Sequence, residues 1–167
     1  MSQGFLTHLK PGARGLRLMM NLWPPLRAAG IKITHIERDF SRVRVELRMK
    51  LLNRNYVGTH YGGSLFSMTD PFYMIMMLQR LGKGYVVWDK SASIRFRRPG
   101  KGTVHADFHL SDEEVERVKR VVEAEGRIEP TYTIEVKNAA GEVVAEVEKT
   151  LSIKRADARP ASLPKAA

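Results

Sequence analysis

The chain has 167 residues, 43% of them hydrophobic and 28% charged, and contains no cysteine. That length suits one domain with a substantial core, while the missing thiols exclude disulfide staples, a cysteine nucleophile and thiolate metal sites and point to a reducing, cytoplasmic setting. Lys and Arg outnumber Asp and Glu by 28 to 18, giving a formal charge of +10, so the candidate partners are anionic: nucleic acid, an acidic membrane surface or a phosphorylated small molecule.

In chain order, residues 1–11 read as a lead-in and Gly12 to Ala29 as a basic helix with an apolar face of Leu16, Met19, Met20 and Trp23, broken or kinked at Pro24-Pro25 and stopped by Gly30. The apolar run from Leu18 to Trp23 is too short for a signal peptide and contains Asn21. Ile31 to Glu37 and Arg42 to Met49 alternate apolar and polar residues, which predicts a half-buried hairpin. A polar loop, Leu51 to Thr59, leads to Gly63–Leu81, a stretch apolar on nearly every side. It predicts a helix buried all round, with a sheet wrapped about it.

Strand-like runs follow at Tyr85 to Phe96, Gly102 to Leu110, Arg127 to Val136 and Val143 to Ile153, the last two joined by a turn at Asn138 to Gly141. Between the second and third, Ser111 followed by Asp112, Glu113 and Glu114 marks a helix start, and Gly126 its stop. Ala156 to Ala167, rich in Ala and Pro, reads as a disordered tail. The expected architecture is α+β: an antiparallel sheet of about six strands curled around one apolar helix, over residues 31–155, preceded by the basic amphipathic helix of residues 1–30.

Chemistry concentrates in Asn55, then His60-Tyr61-Gly62-Gly63, then Asp70. Glycines at a helix start let a carbonyl approach unpaired backbone N–H groups and the positive end of the helix dipole, an arrangement suited to an oxyanion. Asp70 lies seven residues beyond Gly63, nearly two turns and about 10 Å along one helix, too far for both to serve one carbonyl. The Asp70-Pro71 pair also fits an N-cap and first helical residue. Yet a carboxylate beside Met68, Phe72 and Met74 is costly unless paired or functional. Local sequence leaves both roles open.

The run from Asn55 through Gly62-Gly63 to Asp70, with the order of elements over residues 31–155, resembles the hotdog-fold acyl-CoA thioesterases, in particular the phenylacetate-type branch and its uncharacterised DUF4442-like relatives. The resemblance implies a hotdog fold and a hydrolase of acyl-CoA with no cofactor beyond the coenzyme A of the substrate. It also implies a site shared between subunits of a homodimer or homotetramer. The Gly62 and Gly63 N–H groups of one subunit would polarise the thioester carbonyl, Asn55 would orient it or the water, and the partner's acid, at the position of Asp70, would act as base or nucleophile. Two positions depart from the family pattern: Tyr61 stands where a histidine is usual, with His60 displaced by one, and Met74 replaces a second polar residue.

His60, Tyr61 and Met74 are accordingly candidate substrate contacts. Trp88 is another, as part of the acyl pocket or simply packed, with Asp89 and Lys90 expected as an exposed pair. Arg95, Arg97 and Arg98 form a basic strand end, either a solvated edge or a cradle for coenzyme A phosphates. Met68, Met74, Met76 and Met77 suit a core or an acyl tunnel. His35, His105 and His109 stand singly and form no metal-site spacing. Alternatives to hydrolysis are an enoyl-thioester hydratase or dehydratase, for which only His60 lies near the acid, and a non-catalytic acyl-CoA or anion-binding module. Phe96 alone interleaves the basic run, which argues against nucleic acid, and the helix over Leu16 to Arg27 is the one feature for a membrane surface, where contact is not expected.

Overall fold

The structure, a computed structural model, describes residues 11–156. Helices α1 (Ala13–Leu22) and α2 (Pro24–Ala29) precede the hairpin β1 (Ile31–Ile36) and β2 (Arg42–Arg48), followed by α3 (Gly62–Ser67) and α4 (Phe72–Leu81). Then come β3 (Tyr85–Phe96), β4 (Thr103–His109), α5 (Asp112–Glu125), β5 (Arg127–Ile128), β6 (Thr131–Asn138) and β7 (Val143–Arg155). The strands form one curved antiparallel sheet in the order β1-β2-β4-β6-β7-β3, with β5 paired to β7.

Two-residue periodicity builds the inner face of this sheet. Val43, Val45 and Leu47 of β2, Val104, Ala106 and Phe108 of β4, and Ala145, Val147, Leu151 and Ile153 of β7 are all buried. Against this face pack Phe72, Tyr73, Met76 and Met77 of α4, with Phe72 and Tyr73 each meeting Phe108 at ring separations of 5.0 and 5.4 Å. Tyr73 also stacks on Tyr132 at 4.4 Å, tying α4 to β6. The Ser111 hydroxyl accepts from the Glu114 N–H and Gly126 closes α5 in the left-handed region, as the cap residues predict.

The two edges of the sheet are treated differently. At the β1 edge the Asn21 side chain donates to the Ile33 carbonyl at 2.9 Å and accepts from the Ile33 N–H at 2.8 Å, and Arg17 donates to the Thr34 carbonyl. Thus α1 covers the edge by satisfying its backbone groups. The other edge, the 12-residue β3, pairs with β7 on one side only.

Four expectations are corrected. The helix predicted over 63–81 is two helices, because Pro71 has no N–H to continue the ladder and restricts Asp70 before it. It is not buried all round either: Ser67 and Leu78 are exposed, since the sheet of one chain covers only one side. The strand predicted over 127–136 splits at Glu129-Pro130, where proline cannot donate to the ladder and offers only its carbonyl, to the Leu151 N–H at 3.0 Å. Trp23 is half-exposed instead of lying on the buried face of the first helix, because α1 ends before it. The lead-in over residues 1–10 and the predicted tail beyond Ala156 lie outside the described residues.

Candidate functional site

The glycine end of α3 is prepared by the loop before it. Asn55 spends its whole side chain on that loop: Nδ2 donates to Thr59 Oγ1 at 2.8 Å and to the His60 carbonyl at 3.2 Å, while Oδ1 accepts from the N–H groups of Val57 and Thr59 at 3.1 and 2.9 Å. Its polar atoms are therefore all engaged in shaping the loop that leads to Gly62. The Tyr61 carbonyl accepts the first helical bonds, from the N–H groups of Ser64 and Leu65. The Gly62 and Gly63 N–H groups have no acceptor among the described residues, as expected for the first turn of a helix.

Both glycines lie close to exposed aromatic rings, which would have to move aside for a larger residue. A Cβ on Gly62 would lie 2.9 Å from Cζ of Phe96, and one on Gly63 would lie 2.3 Å from Cε1 of Tyr61. The two rings, both largely solvent-exposed, flank a pair of free backbone donors. The end of β3 and the start of α3 are thereby brought together.

At the far end of α3 the acid does not cap a helix. The residue preceding α4 is Pro71, and no side chain caps that helix. Instead Oδ1 of Asp70 accepts from Nζ of Lys149 at 2.7 Å, and Asp89 Oδ1 lies 3.1 Å from the same ammonium. Side-chain exposure is 1% for Lys149, 30% for Asp89 and 56% for Asp70. Burial is the main force that pushes the Asp89 carboxyl above its ordinary range, opposed by Lys149 and reinforced by the charge of Asp70.

Asp89 and Lys90 are both exposed, as expected, but they do not pair with each other. Asp89 keeps the register of Val87 and stands opposite the inward Leu151, just before a bulge between Asp89 and Ser91, while Lys90 pairs with Glu129. Lys149 was missed in the sequence, although its signal is there. It occupies an inward position in the alternating row Ala145, Val147, Lys149, Leu151, Ile153.

Residues 13–153 match the family described as Domain of unknown function (DUF4442). The chain belongs to the DUF4442 family. No curated protein matches it in sequence. Among solved structures, it is similar to a Pseudomonas aeruginosa protein of unknown function described as a probable thioesterase, with 21% identity, a TM-score of 0.79, and 89% of this chain and 99% of that one covered. A thioesterase of Haemophilus influenzae aligns at 13% identity over 88% of this chain and 93% of its own, with a TM-score of 0.63. The PaaI protein of the phenylacetic acid degradation operon of E. coli aligns at 20% identity over 85% and 91% of the two chains, with a TM-score of 0.57. The fold of this DUF4442 chain is the hotdog fold of those proteins.

The remaining candidates of this DUF4442 protein lie on α4, on β3 and on the turn after it. Met74 on α4 is half-buried against the core. Trp88 is 66% exposed on β3, and so is not packed. Arg97 and Arg98 are held by Glu146 and Glu142, whereas Arg95 makes no side-chain ion pair among the described residues. The polar clefts on the sheet, of 290 and 470 Å³, are lined by outward residues such as His35, Arg44, His105 and Asp107 and lie apart from Gly62 and Asp70. Of the histidines there, His35 pairs with Glu37, and no group of three His, Asp or Glu side chains is placed to hold a metal among the described residues.

His60, 3% exposed, is turned towards the β3–β4 turn, where Nε2 donates to the Gly102 carbonyl at 2.9 Å, leaving Nδ1 without a partner among the described residues. Burial depresses its pKa below the ordinary 6.5, against a smaller opposing contribution from the Gly102 bond. The folded state then favours the neutral ring, so its stabilising share is complete above pH 6.5 and is lost as pH falls through the depressed value. The melting temperature is expected to drop on acidification below that pH, and His60→Gln, whose amide can still donate to Gly102, is expected to flatten the drop. Scanning calorimetry from pH 7.5 downward checks this; an unchanged slope in the variant would remove His60 as the source.

Proposed function

We propose that this protein hydrolyses acyl-CoA thioesters at a site completed by a second copy of the chain. The observation that carries the proposal is the Asp70 carboxylate, gripped on one oxygen by a buried lysine and open to solvent on the other, at the opposite end of α3 from two unpaired glycine N–H groups. An α3 of six residues is about 9 Å long, so one chain cannot present both ends to the same carbonyl. Two antiparallel copies of α3 would bring the glycines of each against the acid of the other. The resemblance of the fold to structures described as thioesterases supports the same chemistry.

In the proposed reaction the thioester oxygen accepts from the Gly62 and Gly63 N–H groups, which stabilise the charge that develops there. Asp70 of the opposing copy takes a proton from water as the water oxygen attacks the thioester carbon, or attacks that carbon itself to give an anhydride that water then cleaves. The carbon–sulfur bond breaks and the coenzyme leaves as its thiol. Tyr61 and Phe96 line the approach of the carbonyl, with Met74 and Trp88 on the acyl side. Arg95, together with Arg97 and Arg98, faces the phosphates of coenzyme A, which enters only as part of the substrate. The cytoplasm supplies such thioesters.

Self-association through β3 suits the sheet: α1 covers the β1 edge, while among the described residues no strand pairs with the outer side of β3, and an exposed edge of that length invites a second strand. The hydratase alternative loses its base, because His60 is bonded to Gly102 and not to Asp70. Release of free thiol from a panel of alkyl- and aryl-acyl-CoA thioesters tests the activity, and no release from any of them would sink it. Sharing of the site is tested by mixing two inactive variants, Asp70→Asn and Gly62→Val, under conditions that exchange subunits. Half of randomly paired dimers then hold one intact site, so roughly a quarter of wild-type activity is expected to return. A mixture no more active than its parents would confine the site to one chain.

A further inference from the structure

Lys149 is a lone cation in an apolar row. Its neighbours along the inward face of β7 are Val147 and Leu151, both fully buried, and its own exposure is 1%. Desolvating an ammonium costs several kcal/mol unless carboxylates and good geometry compensate, and a methionine would fill the same volume without that cost. A residue needed only for packing has no use for the charge. The charge, moreover, is aimed: Nζ lies 2.7 Å from Oδ1 of Asp70 and 3.1 Å from Oδ1 of Asp89. These three groups come from β7, from the corner between α3 and α4, and from the bulge of β3, so that the pairing is a tertiary device and not a local one.

We infer that Lys149 is a positioning residue for the proposed hydrolysis, holding one oxygen of Asp70 from beneath so that the other faces the reacting carbonyl, with Asp89 as its second counter-charge. This inference rests on the acyl-CoA hydrolase reading above. Asp70 follows a helix end and precedes a proline, and no bond of its side chain other than that to Lys149 appears among the described residues. Without the lysine the carboxylate would rotate freely at an exposed corner. Asp89 supplies what a single pair would lack: one ammonium shared by two carboxylates leaves the cluster with a net negative charge, so that Asp70 keeps the electron density a base or nucleophile requires.

Steady-state hydrolysis by Lys149→Met, Lys149→Arg, Asp70→Asn and the combined Lys149→Met/Asp70→Asn variant tests this. Lys149→Met is expected to lower kcat by roughly 10- to 100-fold, the scale of a misplaced reacting group, with KM changed less than about twofold. Lys149→Arg is expected to recover part of that loss. In the Asp70→Asn background, Lys149→Met is expected to have no further effect, because a residue acting through Asp70 has nothing left to position. Should Lys149→Met fail to fold, Lys149→Met/Asp89→Asn removes the cation and its second counter-charge together and is expected to show the same loss of kcat.

A kcat within twofold of wild type in Lys149→Met, or an equal loss with and without Asp70, would overturn the positioning role while leaving the hydrolase reading intact. Full activity in Asp70→Asn would overturn the catalytic assignment of Asp70 itself, and the role of Lys149 with it. Wild-type protein that cleaves no thioester would overturn both.

Discussion

Asp70→Asn is expected to lower kcat for thioester hydrolysis by roughly 10²- to 10⁴-fold, the range for losing a general base or its equivalent, which corresponds to about 3–5 kcal/mol of activation free energy. The substitution keeps the shape of the side chain and an oxygen to accept from Lys149 Nζ, now at 2.7 Å, so the corner between α3 and α4 is retained. Lys149 also keeps Asp89 as its ionic partner. The side chain of Asp70 is more than half exposed, and its removal as a charge leaves no cavity in the core. Folding stability is therefore expected to change little. Thiol-release kinetics beside a thermal melt separate the two effects: a large fall in kcat at an unchanged melting temperature supports catalysis, and near-wild-type turnover rejects it. Asp70→Ala is the less clean variant, since it leaves the buried ammonium with one partner instead of two.

Phe108→Ala is expected to be the most damaging of the single core substitutions for stability, by about 3–5 kcal/mol. Phe108 is fully buried on β4 and meets both Phe72 and Tyr73, while Tyr73 stacks on Tyr132, whose hydroxyl donates to Glu114 of α5. One ring thus joins α4 to the middle of the sheet and, through two tyrosines, to the outer helix. For a domain of this size each kcal/mol moves the melting temperature by about 2–4 °C, so a fall of roughly 6–20 °C is expected. Calorimetry checks it. A fall of only a degree or two would mean that the aromatic cluster is not the anchor of α4. Catalysis by the folded fraction should persist, because the ring partners of Phe108 lie on α4 and not on α3.

Much of the architecture was legible because it is local. Period-two alternation marked the β1–β2 hairpin, strand-like runs marked Tyr85–Phe96 and Val143–Ile153, Pro24-Pro25 marked the break between α1 and α2, and Ser111 with Gly126 bracketed α5. The candidate site was half legible. Gly62, Gly63 and Asp70 stood out by spacing, and the two glycines do begin α3 with free donors beside the end of β3. The surroundings of Asp70 were not legible. The local pattern Asp-Pro offered a helix cap, but the carboxylate turns to a lysine 79 positions away. Asn55 shows the same limit: its residue type suited a polar contact in the site, and only the geometry of its loop revealed that every polar atom is already used.

By itself the sequence determined the fold class, the strand directions implied by a hairpin-rich chain, and the placement of two glycines and an acid on the central helical segment, since each follows from residue type and short spacing. The tertiary structure alone decided which side chain meets that acid, that Asp89 shares the same lysine, that Pro130 divides a strand, and that Asn21 seals one sheet edge while β3 stays open. The physical reason is that periodicity reports which face a residue takes but not what stands opposite it. Cross-strand register, bulges and the packing of a helix corner bring together residues far apart in the chain. The Lys149 ammonium and the Asp70 carboxylate meet only once β7 and the α3–α4 corner are packed against one another.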